Sequence, residues 1–236
     1  MKLIAVCGSA RKKGNTSKML HQIIEGAKSV GAETEFVNLF DLNYKDCISC
    51  YACKLKNSKS FGHCMLNDEL KPLLERIEQS DVIVLGSPVY YGNLSGQMCS
   101  FTNRLMFQYL DYGAKGTGPK PKFFKTALIA TMNGNKESYV ARGVKDALDR
   151  LKEMLGHTLG SCELLTLTDT VLFDDYSKYV YLMPDKDEKT NRIEKIPAED
   201  LQKAFDLGVR LIKPVIPTET GQKELGTFNK NKSYKY

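Results

Sequence analysis

The fold of this 236-residue chain is decided by the stretch Leu3-Ile4-Ala5-Val6-Cys7-Gly8-Ser9-Ala10-Arg11-Lys12-Lys13-Gly14-Asn15-Thr16-Ser17. Its first five residues form a continuous apolar run, which is typical of a parallel strand buried on both faces. The run ends at Gly8 and passes through a short polar loop into residues with helical spacing. A strand, a tight loop and a helix in this order predict an α/β domain.

Strand and helix patterns alternate along the rest of the chain. After the strand at residues 3–7, further strands are predicted at residues 33–39, 82–85, 126–131 and 163–168. Helices are predicted at residues 19–30 (closed by Gly31), 68–79, 95–110, 136–155 (closed by Gly156) and 197–212, which starts at Pro197 and precedes Pro214. The alternation predicts a doubly wound five-stranded parallel sheet with helices on both faces.

The domain organisation follows from length and composition. We expect one domain over residues 1–213 and a C-terminal extension over residues 214–236, because no repeat or linker divides the chain. A hydrophobic content of 42% and a charged content of 26% lie in the globular range, which excludes a disordered or fibrous chain.

Charge and hydropathy restrict the partners. Residues 223–236 contain four lysines and one glutamate, so +3 of the net charge of +6 lies in the tail. The remainder is too small to indicate nucleic acid binding. No apolar run approaches the roughly 18 residues of a membrane span, and the start of the chain does not resemble a signal peptide. We therefore expect a cytoplasmic protein whose seven cysteines serve as reduced thiols, metal ligands or redox groups.

The loop at residues 8–17 is a candidate anion site. Ligands of open α/β sheets bind beyond the carboxyl ends of the strands, and this loop leads from the first strand into a helix. Hydroxyl and amide side chains, free backbone N–H groups and the helix dipole suit a dianionic phosphate, and Arg11 can add a forked contact. A P-loop is excluded because Asn15, not Lys, follows Gly14. The alternative is a capped helix start beside a solvated run of basic residues.

The motif Gly8-Ser9-Ala10-Arg11 followed by Gly14-Asn15-Thr16 resembles the Gly-Ser-x-Arg-x-x-Gly-Asn-Thr loop of the NADPH-dependent FMN reductase and iron–sulfur flavoprotein families. The segment Gly86-Ser87-Pro88-Val89-Tyr90-Tyr91-Gly92-Asn93 resembles their flavin-ring loop, and Thr131-Met132-Asn133 lies where their third loop does. The similarity covers roughly residues 1–180 and includes the cysteine segment. The resemblance implies a flavodoxin-like fold that binds FMN.

The resemblance also implies a set of cofactor-binding residues. Those for the FMN phosphate are Ser9, Arg11, Asn15, Thr16 and Ser17. Those lining the isoalloxazine ring are Pro88, Val89, Tyr90, Tyr91, Gly92 and Asn93, with Thr131, Met132 and Asn133 closing the other side. For the tyrosines, ordinary packing is the alternative.

The cysteine segment is a candidate metal site. Cys47-x-x-Cys50-x-x-Cys53 places three thiols within seven residues, and Cys64 follows after a gap of ten. Three close cysteines and a remote fourth are a ligand set for a [4Fe–4S] cluster. The iron–sulfur flavoproteins carry such a cluster with a shorter last gap. A zinc site of four thiolates and unmetallated thiols at a substrate mouth or subunit contact remain alternatives. The other three cysteines are expected to be small buried hydrophobes.

The resemblance implies an FMN-dependent NAD(P)H oxidoreductase that passes electrons to a quinone, flavin, nitro or azo compound or protein acceptor. It further implies a homodimer or homotetramer, while the charge and hydropathy of the chain predict no nucleic acid or membrane partner. The flavin does the chemistry, so we name no catalytic residue. One alternative is an iron–sulfur flavoprotein that relays electrons between partners without a small-molecule substrate. A non-enzymatic binding module on the same fold is another.

Overall fold

The computed structural model describes residues 1–110, 112, 122–192 and 195–213, and these contain one central sheet. Its parallel strands are β1 (Lys2–Cys7), β2 (Glu33–Asn38), β3 (Val82–Tyr90), β5 (Phe124–Thr131) and β6 (Gly160–Leu167). They lie in the order β2-β1-β3-β5-β6, and the short β4 (Asn93–Leu94) pairs antiparallel with the end of β3. The predicted five parallel strands are confirmed, and β4 is a sixth strand that was not predicted.

The strands at the centre of the sheet are continuous apolar runs because helices cover both faces. In β1, residues 3–7 are completely buried, and Ile4 is paired with Glu35 of β2 on one side and with Ile83 of β3 on the other. Burial on both faces removes the alternation of polar and apolar side chains that a half-exposed strand shows. The order of the strands is that of the flavodoxin-like doubly wound sheet.

The helices form two layers. In chain order they are α1 (Asn15–Ser29), α2 (Lys71–Glu78), α3 (Gly96–Phe107), α4 (Lys136–Ala141), α5 (Val144–Leu159), α6 (Lys186–Asn191) and α7 (Ala198–Ile212). One apolar core joins α1 and α7 to the sheet, and a second joins α2, α3 and α5 to its other face. A Cβ on Gly26 would lie 2.0 Å from the carbonyl oxygen of Phe205, so α1 and α7 touch through their backbones.

The helix predicted at residues 136–155 is wrong in two respects. Gly143, with φ at +68°, breaks it into α4 and α5. Gly156 lies inside α5, which ends before Gly160, where φ is +131°. Both breaks coincide with a glycine of positive φ, whereas Gly156 lies inside the helix and continues it.

Two further predictions need adjustment. Helix α6 was not predicted, and Pro197 is the residue that precedes α7 rather than its first helical residue. Strand β3 extends five residues beyond the predicted end at residue 85, because its end pairs with both β5 and β4. No helix in the described ranges is long and apolar enough to cross a membrane. The predicted extension at residues 214–236 lies outside the described residues.

Candidate functional site

The loop after β1 opens into α1 with its backbone donors available. Helix α1 begins at Asn15, Gly14 is its N-cap residue, and no side chain accepts a hydrogen bond at this cap. The first N–H groups of a helix have no partner within the helix. Together with the helix dipole they favour a bound anion, as the sequence predicts for this loop.

Three buried hydroxyl groups lie around this helix start. Ser17 is 1% exposed, and its Oγ makes no hydrogen bond within the described part of the chain. The Thr16 hydroxyl lies 2.7 Å from that of Thr131 at the end of β5, while Ser9 Oγ accepts from the Arg11 N–H at 3.2 Å. A buried hydroxyl without a partner is costly. Ser17 therefore fits a site whose missing partner is a ligand oxygen such as that of the FMN phosphate.

The side chains of Arg11 and Asn15 both reach the segment that follows β6. Arg11 Nη1 donates to the Leu172 carbonyl at 2.6 Å, and Asn15 Nδ2 donates to the Val171 carbonyl at 3.2 Å. Each side chain keeps further N–H groups, because a guanidinium has five and a carboxamide two. The predicted phosphate contacts of these two residues stay predictions, and the structure adds their second role as anchors for residues 171–172.

The second predicted loop is a β-hairpin. Tyr90 of β3 pairs with Asn93 of β4, and the two residues between them, Tyr91 and Gly92, have φ of +51° and +84°. Two central residues with positive φ are typical of the tight turn that joins antiparallel strands. Tyr90 and Tyr91 are exposed, so packing inside this chain does not explain them. Pro88 and Val89 are half-buried at the base of the hairpin.

The third predicted loop leaves few groups for a ligand. The side chains of Thr131 and Met132 are buried, and Met132 belongs to the core beneath α5. Asn133 Nδ2 donates to the Thr170 carbonyl at 2.7 Å, and its Oδ1 accepts from the Tyr181 hydroxyl at 3.2 Å. The Met132 N–H donates to the Leu167 carbonyl at 2.8 Å, so within the described residues the Asn133 N–H and the second N–H of its carboxamide remain for a ligand.

The three loops meet at one edge of the sheet. They follow β1, β3 and β5, which are neighbours in the sheet and run parallel. The structure thus brings together the residues predicted to bind the phosphate and those predicted to line the ring. The arrangement suits an elongated ligand with an anionic end at α1 and a flat end between the hairpin and the third loop.

The four predicted metal ligands line one pocket. Cys47, Cys50, Cys53 and Cys64 share it with Arg104 and Gln108. The long gap before Cys64 folds back on itself, since the Gly62 N–H donates to the Cys53 carbonyl at 3.0 Å. The loop of residues 54–63 therefore returns the fourth cysteine to the other three.

Helix α3 supports this pocket from behind. The Arg104 side chain is completely buried, and its Nε donates to Cys64 Sγ at 3.4 Å. Its Nη1 donates to Asp68 Oδ2 at 2.5 Å and to the Lys45 carbonyl at 3.1 Å. Gln108 Oε1 accepts from the Cys64 N–H at 2.9 Å, while its Nε2 has no hydrogen-bond partner in the described residues.

Lys54 connects the start of the loop of residues 54–63 to α3 by hydrogen bonds. Lys54 Nζ donates to three carbonyl oxygens at the C-terminal end of that helix and just beyond it, those of Phe107, Gln108 and Leu110, at 2.6, 3.0 and 2.7 Å. Cations are favourable at a helix C-terminus. The contact places a positive charge directly next to Cys53.

Burial and charge act in opposite directions on these groups. Burial raises the pKa of the Cys53 thiol, the charge of Lys54 lowers it, and the neighbouring Cys64 and Cys50 raise it further. Burial alone would raise the pKa of Asp68, but the hydrogen bonds from Arg104 and the Lys45 N–H hold it below its ordinary value. Cys53 is therefore a thiol that would lose its proton on binding a metal, and Asp68 is a carboxylate.

Four thiols around one pocket keep an iron–sulfur cluster, a zinc ion and unmetallated thiols as the alternatives. The described residues contain no group of three or more His, Cys, Asp or Glu side chains placed to hold one metal ion. A zinc site needs four sulfurs about 2.3 Å from one centre.

The remaining cysteines follow the expectation in part. Cys7 is buried in β1, whereas Cys99 and Cys162 are only partly buried. Burial raises the pKa of all three thiols.

Sequence reasoning missed several residues around these loops. Arg104 had a detectable signal, because it lies on the same helix face as Phe101 and Leu105, where an apolar residue is expected. Lys189 and Tyr181 had none, since a lysine in a charged segment and a tyrosine in a loop are ordinary surface residues. Their contacts with Asn133 are made only in the folded chain.

Comparison with known families gives one match over most of the chain. Residues 1–178 match the family described as NADPH-dependent FMN reductase. An iron–sulfur flavoprotein of Methanocaldococcus jannaschii is 36% identical over 104 residues, which are 44% of this chain and 51% of that protein. One of Archaeoglobus fulgidus is 36% identical over 117 residues, 50% of this chain and 49% of that protein. The chain thus spans about half the length of the curated relatives it matches.

Solved structures with the same fold include two reductases. An NAD(P)H:quinone oxidoreductase from Methanothermobacter marburgensis has a TM-score of 0.65 at 16% identity, covering 91% of this chain and 98% of the other. An FMN-dependent NADH-azoreductase from Bacillus anthracis, in complex with FMN, has a TM-score of 0.57 at 15% identity, covering 90% and 100%. At such low identity these likenesses show the fold alone.

Proposed function

Since this chain belongs to the NADPH-dependent FMN reductase family, we propose that it binds FMN at the carboxyl ends of β1, β3 and β5 and carries electrons from NAD(P)H to an acceptor. The observation that supports the site most directly is Ser17, whose buried hydroxyl has no partner at the start of α1. Membership of the family supports the proposed redox activity. The unpaired hydroxyl of Ser17 supports the proposed position of the FMN phosphate.

In this proposal the first turn of α1 binds the phosphate. The backbone N–H groups of residues 15–17 and the hydroxyls of Ser9 and Ser17 donate to its oxygens, while Arg11 and Asn15 add their remaining N–H groups. Thr16 acts mainly by joining this turn to Thr131 at 2.7 Å. The site combines a helix dipole with donors that are already in place, which lowers the ordering cost of binding.

The ring is bound between the hairpin and the third loop. Pro88, Val89 and Tyr90 offer apolar and aromatic surface, and Tyr91 and Gly92 form the turn before Asn93. Thr131 and Met132 support the third loop, which offers the backbone N–H of Asn133. Bound FMN supplies reversible uptake of a hydride or of single electrons. The residues of the chain bind and orient it, and none of them is required as a proton donor.

The proposal also includes an electron donor and an electron acceptor. NAD(P)H is the donor, and the acceptor is a quinone, a flavin, a nitro or azo compound or a protein. The exposed Tyr90 and Tyr91 leave aromatic surface beside the site for such a molecule or for a second subunit of a homodimer or homotetramer. The seven free thiols suit a reducing cytoplasm.

A second candidate is an iron–sulfur flavoprotein that relays electrons between partners. It is favoured by the four cysteines that line one pocket and by the names of the curated relatives. Cys47, Cys50, Cys53 and Cys64 would hold a [4Fe–4S] cluster, and the cluster would supply one-electron transfer.

The deciding experiment is an anaerobic purification followed by an absorbance spectrum, iron and sulfide analysis and an NAD(P)H oxidation assay. Flavin bands, rapid NADPH oxidation and no iron would support the reductase. Flavin bands with about four iron and four sulfide per chain and poor NADPH turnover would support the electron-transfer protein. A chain that binds no flavin even after addition of FMN would refute both.

A further inference from the structure

Lys189 of α6 is buried in a charged network behind the third loop. Its side chain is 0% exposed, and its Nζ lies 2.8 Å from Asp185 Oδ2, 3.1 Å from Asp169 Oδ1 and 3.0 Å from the Asn133 carbonyl oxygen. An ammonium group has three N–H donors, and here all three have an acceptor. The buried charge is thus satisfied by two carboxylates and one backbone carbonyl of the candidate flavin site.

The ammonium group keeps its charge in this position. Burial alone would lower the pKa of Lys189, but its hydrogen bonds with Asp185 and Asp169 raise it above the ordinary value. Arg192 Nη2 lies 2.7 Å from Asp169 Oδ2, so the same carboxylate is held from two sides. The network therefore places a fixed positive charge next to the Asn133 carbonyl.

Three successive carbonyl groups of the third loop are turned toward this network and the segment after β6. The Met132 carbonyl accepts from the Thr170 N–H at 3.0 Å, that of Asn133 from Lys189, and that of Gly134 from the Asp169 N–H at 2.8 Å. The backbone of residues 169–170 thus holds the first and third of these peptide groups, and Lys189 holds the one between them.

The N–H groups of the same peptides must point the other way. A trans peptide directs its C=O and N–H in opposite directions, and no cis peptide bond occurs in the described residues. Each of the N–H groups of Asn133, Gly134 and Asn135 therefore points away from the group that its own peptide carbonyl contacts, and the Gly134 N–H points away from Lys189.

The side chain of Asn133 is held by the same network. The Tyr181 hydroxyl lies 3.2 Å from Asn133 Oδ1 and 3.0 Å from Asp185 Oδ1, and Asn133 Nδ2 donates to the Thr170 carbonyl at 2.7 Å. The side chain and backbone of Asn133 are thus both fixed from the side opposite the site.

We propose that Lys189 is a positioning residue for the flavin: it holds the peptide between Asn133 and Gly134 so that its N–H group faces the bound ring. This inference rests on the proposed FMN site. Reduction adds negative charge to a flavin, so donors that face the ring favour its reduced form. Without Lys189 the peptide is free to turn its carbonyl toward the ring, which opposes reduction.

The test compares Lys189→Met, Lys189→Arg and Lys186→Met. Met keeps the length of the side chain but removes its charge and donors, and Arg restores both. Lys186 lies on the same helix and takes no part in the network, so Lys186→Met controls for the loss of one charge. For each variant we measure the Kd of FMN for the apoprotein by fluorescence titration, the two-electron midpoint potential of the flavin, and the melting temperature without FMN.

We expect Lys189→Met to bind FMN about tenfold more weakly, which corresponds to the loss of one hydrogen bond. Its midpoint potential shifts to a more negative value, Lys189→Arg recovers the potential at least in part, and Lys186→Met equals the parent. A Lys189→Met protein with the parent Kd and potential would overturn the inference. So would a lower melting temperature with an unchanged potential, since a purely structural role has that effect.

If Lys189→Met does not fold, Tyr181→Phe decides, because it removes only the hydroxyl that contacts Asn133 and Asp185. A smaller shift of the potential in the same direction supports the inference, and no shift refutes it. Failure of the proposed function looks different: in that case the parent protein itself does not bind FMN.

Discussion

The loop of residues 8–17 and the loop of residues 47–64 are the two regions of this molecule that carry binding chemistry, and they are built in different ways. The first is short and leads from a buried strand into a helix, so its donors come from its own backbone and from neighbouring serines. The second is long, contains three non-glycine residues with positive φ, and takes its shape from side chains of α3.

Each region contains one buried polar side-chain atom that has no partner in the described residues. These atoms are Ser17 Oγ at the start of α1 and Gln108 Nε2 at the cysteine pocket. A folded protein satisfies almost all such atoms, so an exception indicates a ligand or a strained site. The loop of residues 8–17 thus forms its site from a local motif, whereas the cysteine pocket depends on side chains that are distant in sequence.

The largest effect that would test this difference is the loss of a cluster ligand. Cys53→Ser should abolish iron incorporation, because a serine hydroxyl is not a thiolate, and iron and sulfide analysis after anaerobic purification measures it. FMN content should equal that of the parent. Cys99→Ser is the matched control and should keep its iron, because Cys99 lies outside the cysteine pocket. Loss of FMN together with iron in Cys53→Ser would show that the two regions are not independent.

The second prediction concerns the support of the cysteine loop by α3. Arg104→Gln should lower the free energy of unfolding of the metal-free protein by about 3–5 kcal/mol, because it leaves the partly buried Asp68 carboxylate without its cation. Urea denaturation measures this, and iron incorporation should fall as well.

The control for that substitution is Arg76→Gln. Arg76 forms an ion pair with Glu35 in which both side chains are substantially exposed, and its loss should cost at most about 1 kcal/mol. The FMN Kd should stay at the parent value in both variants. A large change of the FMN Kd in Arg104→Gln would contradict the view that α3 supports only the cysteine loop.

The smallest expected effect concerns FMN binding at the loop of residues 8–17. Ser17→Ala should weaken FMN binding about tenfold, because it removes one hydrogen bond to a charged phosphate. It should not lower the free energy of unfolding of the FMN-free protein, since the hydroxyl it removes has no partner there. Fluorescence titration and urea denaturation measure the two quantities.

Ser80→Ala is the control for this pair of measurements. The Ser80 hydroxyl is also buried but donates to the Ile77 carbonyl at 2.8 Å. Ser80 precedes β3, so it lies at the end of the sheet opposite to the candidate site. It should lower stability by about 1 kcal/mol and leave the FMN Kd unchanged. The opposite pattern, with Ser17→Ala destabilising the FMN-free protein and binding FMN normally, would remove the main support for the phosphate site.

Much of the fold was predictable because its signals are local. The central strands are continuous apolar runs, and helices such as α1 and α7 have apolar residues at helical spacing. Helix α6 could not be predicted, because its sequence Lys-Asp-Glu-Lys-Thr-Asn has no apolar residue. What keeps it in place is the contact of Lys189 with carboxylates and with the third loop.

The sequence by itself determined the parallel sheet, the family, and the three loops that meet at one sheet edge, because burial patterns and short motifs act between neighbours along the chain. Only the tertiary structure decided that the gap before Cys64 closes, that Arg104 lies among the cysteines, and that Lys189 orients the third loop. The first depends on a backbone hydrogen bond between Gly62 and Cys53, and the other two depend on a buried charge that finds partners far away in sequence. Such a charge is stable only once the whole chain is folded around it.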